Sequence, residues 1–284
     1  MAIVRTPALA LMVLGCGSDP LFEPDHIRTW ATTGSALAVY AHAHQPVGVA
    51  QGELHFADAN CPQVNEADGV LSIDGDCRDT NGTHYEGRIE VTRIADGDLD
   101  LEFHDWGNFG DPDFATRASG TFELRRRGES LHDFSASLDV RGGMTTTLRY
   151  DGSVSGGYDG RTVWNGAGTV ERDGLVEPTG RMRVETRDQV RDIDVCSNQP
   201  LSGETLIDGG SDVAIVTYDG ESACDDDQAV RLTVNGRHRG MLIGVGCAVR
   251  RGTSGSAAWS LPLLLLLLLR RLTRRPRRTL LQRR

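Results

Sequence analysis

The chain contains no lysine, so its 30 basic residues are all arginine. That excludes a lysine Schiff base, a phosphate-binding P-loop lysine and any lysine nucleophile. Acids are absent from residues 1–15 and from 248–284, so all 40 lie between residues 16 and 247. Arg5 and ten arginines from Arg250 onward fall outside that body, which leaves it 19 arginines and a balance of −21. A body this acidic lacks the basic footprint that nucleic-acid binding needs. Aromatic residues make up 6% of the chain, with four Trp and five Tyr, which leaves few platforms for stacking sugars. There is no Gly-x-Ser-x-Gly elbow for a serine hydrolase, and no Cys-x-x-Cys or His-x-x-x-His spacing for zinc. A Ser-His-Asp triad or a carboxylate pair can always be drawn from eight histidines and 40 acids, so drawing one selects nothing. At 284 residues the chain has room for one large domain or two ordinary ones.

Both ends read as addresses. Arg5 precedes a short apolar run, Ala8 to Leu14, and Val13-Leu14-Gly15-Cys16 follows the pattern of a bacterial lipobox. The segment resembles lipoprotein signals, which implies cleavage by a signal peptidase before Cys16 and acylation of that cysteine. An ordinary secretory signal is the alternative. Residues 17–26, with Pro20 and Pro24, read as a tether.

At the other end, Gly246-Cys247 is followed by a polar linker and an apolar run, Ala257 to Leu269. Arg270, Arg271, Arg274, Arg275, Arg277 and Arg278 close the run. As a helix, thirteen residues would reach about 20 Å, short of the roughly 30 Å hydrocarbon core of a bilayer. Cysteine, short leucine run and arginine tail together resemble the myxobacterial C-terminal sorting signal of the MYXO-CTERM type. The resemblance covers about residues 246–278. It implies removal of the tail by a membrane sorting protease, a myxosortase, with Gly246 and Cys247 at the processing site and display at the outer membrane or cell surface. A plain C-terminal anchor is the alternative. The lipobox at the opposite end departs from a single-signal pattern and would anchor the protein twice if both act.

Setting Cys16 and Cys247 aside leaves Cys61, Cys77, Cys196 and Cys224. In an exported chain, four cysteines suggest two disulfides with three connectivities. The sequence-local pairs Cys61–Cys77 and Cys196–Cys224 are favoured, because each encloses one turn-rich segment. The stretch from Asn60-Cys61-Pro62 to Asp79 is also faintly similar to cysteine-bounded segments of myxobacterial surface lipoproteins that have no assigned activity.

Turn chemistry and a period of two dominate the body. Asp-Gly occurs at 68, 74, 96, 151, 159, 173, 208 and 219, and Asn-Gly at 81, 165 and 235. These dipeptides suit type I′ hairpins. Apolar residues alternate with polar ones through Leu99-Leu101-Phe103, Phe134-Ala136-Leu138-Val140, Met182-Val184 and Val230-Leu232-Val234. Strict alternation marks antiparallel strands with one wet face. The expectation for residues 52–246 is an all-β antiparallel meander closed as a sandwich or barrel. Val213 to Val216, the one continuous apolar run, is expected at its centre. Residues 196–247 form a candidate C-terminal subunit, and an alanine-rich segment from Ile27 to His44 is a candidate short helix weakened by Thr32, Thr33 and Gly34.

Candidate site residues are few. Asp74, Asp76, Asp79 and Asn81 offer hard oxygens suited to calcium, as do Asp225 to Asp227, although solvated hairpin loops account for them equally well. His42 and His44 would share a face on a strand but diverge on a helix. Trp106, Phe109 and Phe114 lie among glycines and acids as a candidate binding tip for a glycan or a protein, or else fold onto the core. The expected function is therefore an exported, lipid-anchored, non-catalytic binding or structural module without a cofactor. Its alternatives are a β-barrel carrier of an apolar ligand, which needs a cavity of several hundred Å3, and a secreted hydrolase of a surface or extracellular polymer, which needs converging carboxylates.

Overall fold

The structure, a computed structural model, describes residues 23–241 apart from 95–96, 111–114, 157–159, 193–194, 196–199 and 220–229. Three short helices come first: α1 (Pro24–Gly34), α2 (Ala36–Ala41) and α3 (His44–Gln51). Fourteen strands follow: β1 (Gln63–Ala67), β2 (Val70–Asp74), β3 (Cys77–Arg78), β4 (His84–Arg93), β5 (Leu99–Phe109), β6 (Arg117–Arg126) and β7 (Leu131–Arg141). The series continues with β8 (Thr145–Ser155), β9 (Arg161–Asp173), β10 (Gly180–Asp192), β11 (Ser202–Asp208), β12 (Val213–Asp219), β13 (Val230–Val234) and β14 (Arg237–Met241). All belong to one antiparallel sheet in sequence order, with β3 attached beside β4 off the main path.

The alternating segments become strands as the period of two requires. Leu99, Leu101 and Phe103 are buried on β5 while Glu102 and His104 are exposed, and Phe134, Ala136 and Leu138 are buried on β7. The all-β antiparallel expectation holds, but the sheet is not closed by hydrogen bonds: among the described residues its path has two ends, β1 and β14. What fills the inner face is helix. Eight strands at about 4.8 Å spacing would spread roughly 35 Å if flat. Yet α3 touches β4, α2 touches β7, β8 and β9, and α1 touches β9, β10 and β11, so the sheet curls around the three helices. Register shifts in β4, β5 and β10 accompany this curl, with Gly87, Asp105 and Asp188 at positive φ.

The helices are more extensive than the composition suggests, beginning inside the expected tether and running past His44. On α1, Ile27, Trp30, Ala31 and Gly34 are buried at i, i+3, i+4 and i+7, a single stripe facing the sheet. Thr32 and Thr33 are tolerated because their hydroxyls donate to the carbonyls of Arg28 and Thr29 one turn back. Gly34 ends the helix, and Ser35 restarts the chain by accepting the Ala38 N–H at 3.2 Å as the cap of α2. Pro46 sits in the first turn of α3, where its missing N–H costs no helical bond.

Two expected turns are mid-sheet instead. Asp151-Gly152 lies in β8 and Asn165-Gly166 in β9, and the glycines are register partners. Phe134 and Tyr150 stack with ring centroids 6.3 Å apart across this bare patch. A β-carbon on Gly152 would come within 2.4 Å of the Phe134 ring, and one on Gly166 within 2.5 Å of the Tyr150 ring. Glycine is required there to make room for aromatic rings rather than to turn the chain. By contrast Asp68-Gly69 and Asn235-Gly236 do reverse the chain, all four residues at positive φ.

β12 lies third from the β14 end rather than at the centre, and β11 to β14 extend the same sheet from β10. Its continuous apolar run is split in the usual way, Ala214, Val216 and Tyr218 being buried and Val213 and Ile215 less so.

Candidate functional site

The aromatic core and the sheet's open end meet at one place. Tyr40 of α2 makes edge contacts with Phe122, Phe134 and Trp164, at centroid distances of 5.6, 5.6 and 4.9 Å. Beyond Tyr40 and Trp164 the core is not filled: a cavity of about 600 Å3 opens toward the end of the sheet that carries the β4–β5, β6–β7 and β8–β9 connections. Tyr40, Trp164, Leu99 and Val154 provide its apolar wall, and α3 contributes Ala50 and Gln51. Arg93, Arg126 and Arg191 stand at its margin beside Glu53, Asp98 and Glu129, a rim of both signs.

Local bonds hold this wall in place. The Trp164 indole N–H donates to the Thr162 hydroxyl at 2.9 Å, which fixes the ring against rotation. Arg93 donates to the Ala50 carbonyl through Nε at 3.1 Å and Nη2 at 2.8 Å, and also pairs with Glu66. It thereby ties the C-terminal turn of α3 to β4. Asp98 accepts the Arg126 backbone N–H at 2.7 Å, joining two of the hairpins at the rim.

The cavity's polar groups favour a neutral hydrogen-bonding partner. His44 and His132 both line it, and burial pushes both imidazoles below their ordinary range, helped by Arg191 beside His44 and Arg126 beside His132. Gln51 also lines the cavity, while its Oε1 is buried out of reach of solvent and has no hydrogen-bond partner. Among carboxylates with a resolved shift, Glu185 is lowered by its bond to Arg187 at 2.8 Å, and it lies away from this cavity.

The residues singled out in the sequence are scattered. Cys61 and Cys77 form a disulfide that ties the segment before β1 to β3. Cys16, Cys196, Cys224, Gly246, Cys247, Phe114 and Asp225 to Asp227 lie outside the described residues. Trp106 and Phe109 belong to β5 and are buried, so they form core and not a protruding tip. Trp106 packs on Tyr85 at 5.9 Å, and Arg117 covers the Phe109 ring at 5.8 Å.

Within the proposed calcium group, Asp74 and Asp79 turn to separate partners, and Asp76 sits in the intervening turn at positive φ. Asp79 is buried and accepts the N–H groups of Asn81 and Thr83 at 2.9 and 2.8 Å, closing its own loop. Asp74 accepts the Ser72 hydroxyl and faces Arg88. His42 and His44 sit at the junction of α2 and α3 and do not converge; His42 lines a separate cavity of about 100 Å3 with Trp106. The sequence reading missed the cavity and Gln51 because both exist only where α3 meets the sheet's end. Comparison with protein-family models, with curated proteins and with solved structures finds no match for this chain.

Proposed function

We propose that the protein is an exported, lipid-anchored, non-catalytic binding module that holds one small amphipathic molecule in the cavity beside Tyr40 and Trp164. The observation that carries the reading is the cavity itself: about 600 Å3 in volume and walled by aromatic and aliphatic side chains. It falls within the size range of small-molecule sites. The apolar body of the ligand lies against Tyr40, Trp164, Leu99 and Val154, and its polar end faces the charged rim of Arg93, Arg126, Arg191, Glu53, Asp98 and Glu129. This sharpens the carrier alternative: the occupant is amphipathic rather than wholly apolar.

Cys16, read as the acylated residue, would supply the membrane attachment, and processing at Gly246-Cys247 the surface display. A surface glycan or protein partner then remains a second reading, favoured by no observation as specific as the cavity.

The test uses N-phenyl-1-naphthylamine, a neutral aromatic amine that fluoresces in apolar surroundings and carries one N–H donor. The full chain is expected to bind one equivalent saturably. Val154→Trp, which narrows the cavity, should weaken binding about tenfold, equivalent to 1.4 kcal/mol. Absence of saturable binding, or undiminished binding by a folded Val154→Trp protein, would overturn the proposal.

A further inference from the structure

The outer face of the sheet, away from the helices, carries a group of side chains that the cavity does not use. Glu90 on β4 and Glu102 on β5 are direct register partners, and His104 lies two residues along β5 on the same face as Glu102. One ligand atom from each of Glu90, Glu102 and His104 lies within 4.8 Å of the others. The inward neighbours Ile89, Val91, Leu101 and Phe103 are buried, so the backbone carrying these three ligands is fixed by the core beneath.

Two like charges placed directly opposite each other on neighbouring strands are destabilising unless something neutralises them. Arg88 does so incompletely. It pairs with Glu90 at 3.0 Å but also with Asp74 at 3.4 Å. The patch formed by Asp74, Arg88, Glu90, Glu102 and His104 thus has three carboxylates for one permanent cation. His104 approaches Glu102 at 3.8 Å and can balance it only when protonated. Ser72 opposite Glu90 and Thr121 opposite Glu102 bring no charge, and Asp100, two residues before Glu102 on the same face, is paired with Arg125 at 2.6 Å.

We propose that Glu90, Glu102 and His104 form a surface site for a divalent transition-metal ion of the zinc type. One imidazole nitrogen with two carboxylate oxygens is a donor set for zinc-like ions, whereas calcium and magnesium take oxygen donors alone. Ligand atoms around a tetrahedral zinc stand about 3.4 Å apart, so side-chain rotation must draw the three together by roughly 1 Å. The exposed Glu102 and His104 and the half-buried Glu90 have that freedom on a rigid sheet. Metal binding releases Glu90 from Arg88, and Arg88 keeps its second partner, Asp74. Three protein ligands leave a coordination position for water or for a donor from another molecule.

Isothermal titration of the full chain with zinc chloride tests this, with fold checked by circular dichroism. One equivalent is expected to bind. His104→Ala and Glu102→Gln should each weaken that binding at least tenfold. Arg88→Ala, which removes the competing cation and no ligand, should tighten it several-fold. All three positions are on the exposed face, so the variants should keep the wild-type melting temperature to within a few degrees. Absence of binding, equal binding by His104→Ala, or weaker binding by Arg88→Ala would each overturn the assignment.

Discussion

The backbone N–H of Ala36, at the start of α2, donates at 2.8 Å to the hydroxyl oxygen of Thr186, 150 residues later on β10. The Tyr150 phenol donates to the same oxygen at 2.9 Å, and burial leaves the phenol's proton harder to remove than usual, an effect that the contact with Thr186 partly opposes. Thr186 is itself buried. One hydroxyl therefore satisfies a helix-terminal donor and a core phenol at once, and locks the helices to the sheet they fill.

Replacing Thr186 with Val removes that acceptor without changing the shape. Two buried donors are then unpaired, which should cost about 2–4 kcal/mol. Tyr150→Phe removes one of the two donors along with its bond and should cost about 1 kcal/mol. Thr186→Ser keeps the oxygen and should fall near the wild type. Urea unfolding of the three variants checks the order, and a Thr186→Val protein as stable as wild type would show that the helices are held by packing alone.

Acid should loosen the helix junction. Burial pushes His42 from its ordinary value down to about 4. The unfolded chain therefore binds a proton between about pH 6.5 and 4 that the folded chain refuses, so stability is complete above this window and falls as pH drops through it. The contribution is on the order of 3 kcal/mol, and His44 and His132, also lowered, act in the same direction. Melting temperatures of wild type and His42→Gln are expected to converge as pH falls from 7 to 4, with the variant showing the shallower slope. Parallel slopes would remove His42 from the account.

Mass spectrometry of the protein taken from its native membranes bears on both terminal signals. An acylated Cys16 at the start and an end near Cys247 are the expected outcomes. A chain still ending at Arg284 would exclude the sorting signal, and an unmodified start at another residue would exclude the lipobox.

Much of the fold was legible because β-structure writes itself locally. Leu99, Leu101 and Phe103 alternate with polar residues whatever the rest of the chain does, and Asn235-Gly236 turns because both residues accept positive φ. The pair Cys61–Cys77, separated by 16 residues, closes within one such local segment. The candidate site was not legible in the same way. Gln51 reads as one more polar residue near a helix end, and its unpaired oxygen becomes visible only when the sheet's rim surrounds it.

The sequence by itself determined the alternating antiparallel strands and turns such as Asp68-Gly69 and Asn235-Gly236, because these follow from spacing and from what each backbone position permits. Tertiary structure decided the rest. Gly152 and Gly166 meet across a sheet instead of turning, because Phe134 and Tyr150 need the space above them. Three helices occupy the inside of the curl, and Tyr40 and Trp164 stop short of filling it, because burial there depends on residues more than a hundred positions apart arriving at the same place.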